Sequence, residues 1–189
     1  MKINLTEIYK GLDEWREERK ITAESQKEGF LINIMEEFGE LSQALRGLEI
    51  ESVCKTAEHE IIDALCDIAA FTINAGADIP SSVKRTEIEF KKSSLNADYI
   101  LKQMVEKCAL FSYFEWGEAS AFNIILINCA VLCEHYGYNF ELAMLETIKE
   151  ISSRTGAYDE NAKKWVKDTS DEARAKWYQA DYEKARIKQ

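Results

Sequence analysis

Two short stretches put acids where a helix would want a core. "MEEFGEL" (35–41) sets Glu36, Glu37 and Glu40 among Met35, Phe38 and Leu41. After a gap of nineteen residues beyond Glu40, Glu60, Asp63 and Asp67 are set among Ile61, Ile62, Ala64 and Leu65. A helix turns about 100° per residue, so with Glu36 at zero Glu37 lies at about 100° and Glu40 at about 40°. With Glu60 at zero, Asp63 lies at about 300° and Asp67 at about 340°. Each set shares one arc, and two helices joined by a short link pack antiparallel, arc to arc. Carboxylates gathered in this way repel one another and are stable mainly around a cation. Oxygen donors alone favour Mg²⁺, with Mn²⁺ as a substitute, over zinc or copper. A di-iron bundle wants Glu-x-x-His, and Thr56 precedes His59 by three as Leu132 precedes His135. The plain alternative is a solvated acidic face. The interleaved apolar residues and the matching stripe on a second helix argue against it.

The elements that must position these acids are helices. One proline, eight glycines and abundant Leu, Ala, Glu and Lys predict an all-α helical bundle. Helices are expected at "NLTEIYKGLDEWREERK", at "KEGFLINIMEEFGELSQALRG" and at "ESVCKTAEHEIIDALCDIAAFTINAG", the last stopping at Gly76. Pro80 marks a break, and "SVKRTEIEFKK" reads as a short exposed helix or connector. "NADYILKQMVEKCALFSYFEW" is a further helix. "EASAFNIILINCAVLCEHYG" is apolar on nearly every face and belongs at the centre. "NFELAMLETIKEISSRTG" opens on the cap Asn139, and "SDEARAKWYQADYEKARIK" reads as a polar C-terminal helix that docks through Trp177 and Tyr182.

Gly76 and Gly137 each end an apolar helix, 137 − 76 = 61 residues apart. That offset sets Leu101 under Glu40 and Ile124 under Asp63, a second helical repeat that has lost the acids. The expected organisation is a bundle over 1–156, with metal-site helices in 27–79 and a divergent second half in 80–156, followed by a loop and helix over 157–189.

Composition bounds the function. The chain has 189 residues, 46% of them hydrophobic, and a net charge of −10. So acidic a chain does not hold a polynucleotide backbone, which excludes nucleic acid as the main partner. No apolar run is long enough for a membrane span, and no signal-peptide core opens the chain. Five cysteines without a Cys-x-x-Cys pair read as buried, reduced thiols and a cytoplasmic location.

"EEFGE", the nineteen-residue gap and "EIID" resemble the signature of the all-α nucleoside triphosphate pyrophosphohydrolases, the MazG-like group that also holds dimeric dUTPases. The resemblance covers roughly residues 27 to 79. It implies that Glu37, Glu40, Glu60 and Asp63 hold Mg²⁺ and that Glu36 orients or deprotonates the attacking water. Asp67 lies outside the signature but on the stripe, as a further metal ligand, part of a water relay or an outer acid. It also implies a homodimer. Phosphate-binding side chains are expected from Lys149, Arg154 and Tyr158 or from Lys84 and Lys91. A base pocket would draw on Trp15, Phe30, Asn33 and Trp116. No Gly-x-x-x-x-Gly-Lys-Ser/Thr loop occurs. The expected activity is conversion of a nucleoside triphosphate to its monophosphate and pyrophosphate. Two alternatives stand beside it: a non-catalytic binding or regulatory module with a structural cation, and a phosphoribosyl-ATP pyrophosphohydrolase.

Overall fold

A computed structural model describes residues 2–48, 54–89, 97–113, 119–161 and 164–188. Among these residues the chain is mostly helical. Its helices are α1 (Thr6–Glu18), α2 (Ala23–Gly47), α3 (Cys54–Ala75), α4 (Ala97–Tyr113), α5 (Ala119–His135), α6 (Phe140–Ser153) and the short α7 (Asp171–Arg174). None of them is long and apolar enough to cross a membrane.

The caps are local chemistry. Thr22 accepts from the backbone N–H of Ser25 at the start of α2, and Asn139 accepts from that of Leu142 at the start of α6. Between α5 and α6 the chain turns at Gly137, whose φ of 86° a side chain would resist.

Helices α2 and α3 run antiparallel. Lys27 near the start of α2 pairs with Asp78, just past the end of α3, at 2.6 Å. At the other end, a Cβ on Gly47 would stand 3.2 Å from that of Ala57. Helices α4 and α5 form a second antiparallel pair, tied midway by Asn128 donating to Gln103 at 3.0 Å. Helix α5 is central, as its all-round apolarity predicts: Phe122, Ile125, Leu126, Cys129, Ala130 and Cys133 are buried. It packs on α3, α4 and α6. The close pass of α5 over the end of α3 needs Gly76, where a Cβ would stand 2.6 Å from the Phe122 ring. The described cysteines Cys66, Cys108, Cys129 and Cys133 are free and buried. Burial pushes the Cys108 thiol up to about 12.

Several elements differ from the sequence expectation. Residues 2–4 and 87–89 are strands β1 (Lys2–Asn4) and β2 (Glu87–Glu89), antiparallel with Ile3 opposite Ile88. Both isoleucines are buried, so one three-pair ladder closes a corner of the core. Beyond α6 lies a hairpin of β3 (Gly156–Asp159) and β4 (Lys164–Lys167), with Tyr158 opposite Trp165. The polar C-terminal helix is a correction: α7 ends at Arg174, and only a 3₁₀ turn at Tyr182–Ala185 follows. Its backbone donors are taken elsewhere. The N–H groups of Tyr178, Ala180 and Asp181 go to side chains of Ser153, Glu150 and Glu146. Side chains of α6 here replace the carbonyls a helix would use.

Candidate functional site

The acids meet where α2, α3 and α6 come together. On α2 the buried face is Phe30, Ile34, Glu37, Leu41 and Ala44, the spacing of a core stripe with one carboxylate in it. Glu40 and Glu36 lie about 60° and 100° to one side of Glu37 and are exposed. On α3, Asp63 and Asp67 are half-buried one turn apart, whereas Glu60 is exposed one turn earlier. Helix α6 adds Glu150, and Arg154 just beyond its end pairs with Glu150 at 2.8 Å.

Electrostatics bind these groups into one cluster. Burial pushes Glu37 from the ordinary 4.5 up to about 7. The charges of Glu40, Asp63 and Glu36 add to the rise, and Arg154 opposes it. Asp63 is raised by burial first; a hydrogen bond from Tyr182 opposes that, Glu150 and Glu40 add to it, and Arg154 offsets it. Asp67 is raised well above its ordinary range by burial and then by Asp63 and Glu37, with Arg154 again opposing. Glu37 Oε2 is buried without a hydrogen-bond partner. An orphaned buried oxygen costs about 1–3 kcal/mol, and more when it carries charge.

Oxygen donors of this kind suit a hard divalent cation. Glu37 Oε2 is an orphan that such an ion would satisfy. Among the described residues, no group of three or more His, Cys, Asp or Glu is close-set enough to hold a metal ion as it stands.

The expected phosphate ligands part company. Arg154 is at the cluster, and its charge reaches Glu37, Asp63 and Asp67. Lys149 is exposed, 3.7 Å over the Tyr178 ring and 3.9 Å from Glu146. Tyr158 sits in β3, with Lys20 stacked 5.0 Å over its ring. Lys84 donates to the carbonyl of Ala77 at 2.8 Å, and the charges around it are Asp13, Arg16 and Asp78. Lys91 lies outside the described residues.

The base-pocket candidates also divide. Phe30 is 1% exposed and packs edge-on against Phe111 at 5.0 Å, so it is core and no open wall. Trp15 is half-buried and donates to the carbonyl of Ile151 at 3.3 Å. Asn33, one turn before Glu37, is half-buried. Trp116 lies outside the described residues.

Sequence reasoning missed three contributors. Glu150 sits on α6, far from both acid motifs. Lys167 on β4 lies 5.3 Å over the Trp177 ring, close enough to Arg154 and Arg174 that their charges, after burial, lower its pKa. Tyr182 donates to Asp63 Oδ1 across 119 positions of sequence. Tyr182 was expected only as a docking contact, and no local signal ties any of the three to the acids: α6 brings in Glu150 by packing on α3, and the folding of the segment beyond α6 brings in Lys167 and Tyr182. Comparison with protein-family models, curated proteins and solved structures finds no match for this chain.

Proposed function

We propose that this chain is a magnesium-dependent nucleoside triphosphate pyrophosphohydrolase of the all-α, MazG-like kind. It would convert a nucleoside triphosphate and water to the monophosphate and pyrophosphate. One observation carries the reading: Glu37, Asp63 and Asp67, from two antiparallel helices, are withdrawn from water within reach of each other's charge. Such an arrangement costs stability, and perturbed acids gathered in one place are a mark of function.

Glu37, Glu40, Glu60, Asp63 and Asp67 would hold Mg²⁺. When bound, the ion would neutralise charge on the bridging and leaving phosphate oxygens. The chain's own side chains do the rest. Glu36, exposed beside Glu37, orients the water and accepts its proton as the oxygen attacks the α-phosphorus. The bond from that phosphorus to the bridging oxygen breaks, and its electron pair leaves with pyrophosphate. Arg154 and, beside it, Lys167 meet the outer phosphate oxygens. The net charge of −10 suits a short polyphosphate tail held by these few cations better than a long polyanion. The test is pyrophosphate release from a panel of deoxynucleotides, ribonucleotides and phosphoribosyl-ATP, with and without Mg²⁺. Release from deoxynucleotides that needs the ion supports the reading. No release, or release from phosphoribosyl-ATP alone, refutes it.

A second reading, a non-catalytic binding module, is favoured by a groove of about 510 Å³ between α2 and α4. Phe38, Leu41, Leu45, Leu101 and Val105 line it, with Arg46 and Lys102 beside them. A rise in melting temperature with Mg²⁺ and no turnover belongs to that reading. In the enzyme reading the outer face of α2 belongs to a homodimer: Leu31, Ile32 and Met35 are exposed there, at about 120° to 220° around from Glu37.

A further inference from the structure

The C-terminal segment reaches back over α3 and α6 and touches a series of their acids. The N–H of Ala180 donates to Glu150 Oε2 at 2.8 Å, and that of Asp181 to Glu146 at 3.1 Å. The Tyr178 hydroxyl donates to Glu146. Farther along, Glu183 meets His59 at 2.8 Å and Arg186 meets Glu58 at 2.8 Å. Most of these contacts anchor the segment at partly exposed positions. Tyr182 differs. It is 4% exposed, its hydroxyl donates to Asp63 Oδ1 at 2.5 Å, and Thr147 Oγ1 lies 2.9 Å from the same phenolic oxygen. The phenol has one proton, and a carboxylate can only accept. The proton therefore goes to Asp63, and the single Thr147 hydroxyl proton is shared between the Tyr182 oxygen at 2.9 Å and the carbonyl of Ala143 at 3.2 Å.

We propose that Tyr182 is a positioning residue of the acid site: it commits Oδ1 of Asp63 and turns the carboxylate so that Oδ2 is its donor to the divalent cation. The inference rests on the reading of the cluster as a cation site. A carboxylate on a helix rotates about its side-chain bonds, and its orientation has to be set by something outside the helix. Outer partners of this kind hold ligands in register, and removing one costs about 10- to 100-fold in metal affinity. The C-terminal segment is thereby part of the site as well as a brace for the bundle.

The test is titration of the full-length chain with Mn²⁺ alone, read by electron paramagnetic resonance, for wild type, Tyr182→Phe and Tyr178→Phe. Tyr182→Phe keeps the buried ring and removes only the donor. It is expected to bind Mn²⁺ about tenfold more weakly. Tyr178→Phe removes an anchor to Glu146 without touching Asp63 and is expected to bind as wild type does. Equal affinity in wild type and Tyr182→Phe overturns the inference, as does an equal loss in Tyr178→Phe. Should Tyr182→Phe lose its helical circular dichroism, Thr147→Val reads the same network from its other end and is expected to weaken Mn²⁺ binding by a smaller factor; wild-type affinity there overturns the inference. A wild-type chain that binds no Mn²⁺ overturns both this and the cation-site reading. A wild-type chain that binds Mn²⁺ but releases no pyrophosphate refutes the enzyme, and weaker binding by Tyr182→Phe then still supports the role of Tyr182.

Discussion

Glu37 shows how one residue can carry a site. It occupies a core position between Ile34 and Leu41, and burial with neighbouring acids raises it to about 7. The direction sets the sign of the pH dependence. A carboxyl raised on folding binds its proton more tightly in the native state. Its contribution is therefore most favourable below 4.5 and is lost as pH rises from 4.5 to about 7. For metal-free protein we predict a stability that falls over that window, with Glu37 contributing at most about 3 kcal/mol and the raised Asp63 and Asp67 acting in the same direction. Thermal melts in EDTA at a series of pH values check it, and Glu37→Gln should flatten the slope. A metal-free wild type whose melting temperature climbs from pH 4.5 to 7 would contradict the assignment. The same substitution, like Asp63→Asn, should cut turnover by about 100-fold or more, because each removes a charged oxygen from the site. A full rate in either variant would leave the cluster without a catalytic part. Glu37, Asp63 and Asp67 were legible in sequence because helical spacing fixes which side of α2 and α3 they share. That same spacing put Glu60 on the arc, yet it is exposed. An arc of about 60° spans the difference between the inside and the rim of a bundle.

At the scale of elements, Arg19 ties the site to the frame. It is 7% exposed and lies between Trp15 and Trp165, at 5.3 and 5.1 Å. Its guanidinium donates to the carbonyls of Ser152 and Arg154 at 3.0 and 3.1 Å. It thus closes the C-terminal end of α6 and pins the β3–β4 hairpin at the point where Arg154 departs. Arg19→Ala should cost about 3 kcal/mol, from lost charged hydrogen bonds and stacking, and lower the melting temperature by about 10 °C. It should also raise KM several-fold with a smaller change in kcat, since Arg154 is freed. Steady-state kinetics separate the two, and an unchanged KM would show that Arg154 is placed by other means. The helices α1 to α6 were legible from apolar periodicity, and Asn139 from its capping chemistry. The hairpin and the two short strands were not. Three- and four-residue strands have too few positions for alternation to show, and their burial depends on partners far along the chain. The last helix failed for a related reason: "SDEARAKWYQADYEKARIK" has helical propensity, but side-chain acceptors on α6 claim its backbone donors.

At the scale of the molecule, α2 is apolar on two sides. Its inner face builds the core, and its outer face leaves Ile32 and Met35 each 66% exposed. Large apolar side chains grouped on an exposed helix face mark an interaction site, so a second copy is expected to cover it. Sedimentation should give a dimer for the wild type and a monomer for Ile32→Lys combined with Met35→Lys; a monomeric wild type would contradict this. The central claim is narrower: the acid cluster, with Glu37 as a cation ligand and Glu36 beside it on the water, directs attack to the α-phosphorus of a nucleoside triphosphate. Its most direct measurement is product analysis by mass spectrometry after turnover in H₂¹⁸O with Mg²⁺, wild type beside Glu37→Gln. The account predicts monophosphate and pyrophosphate in equal amounts, with ¹⁸O in the monophosphate, and almost no product from the variant. Diphosphate and phosphate, label in the pyrophosphate, or undiminished product from Glu37→Gln would contradict it.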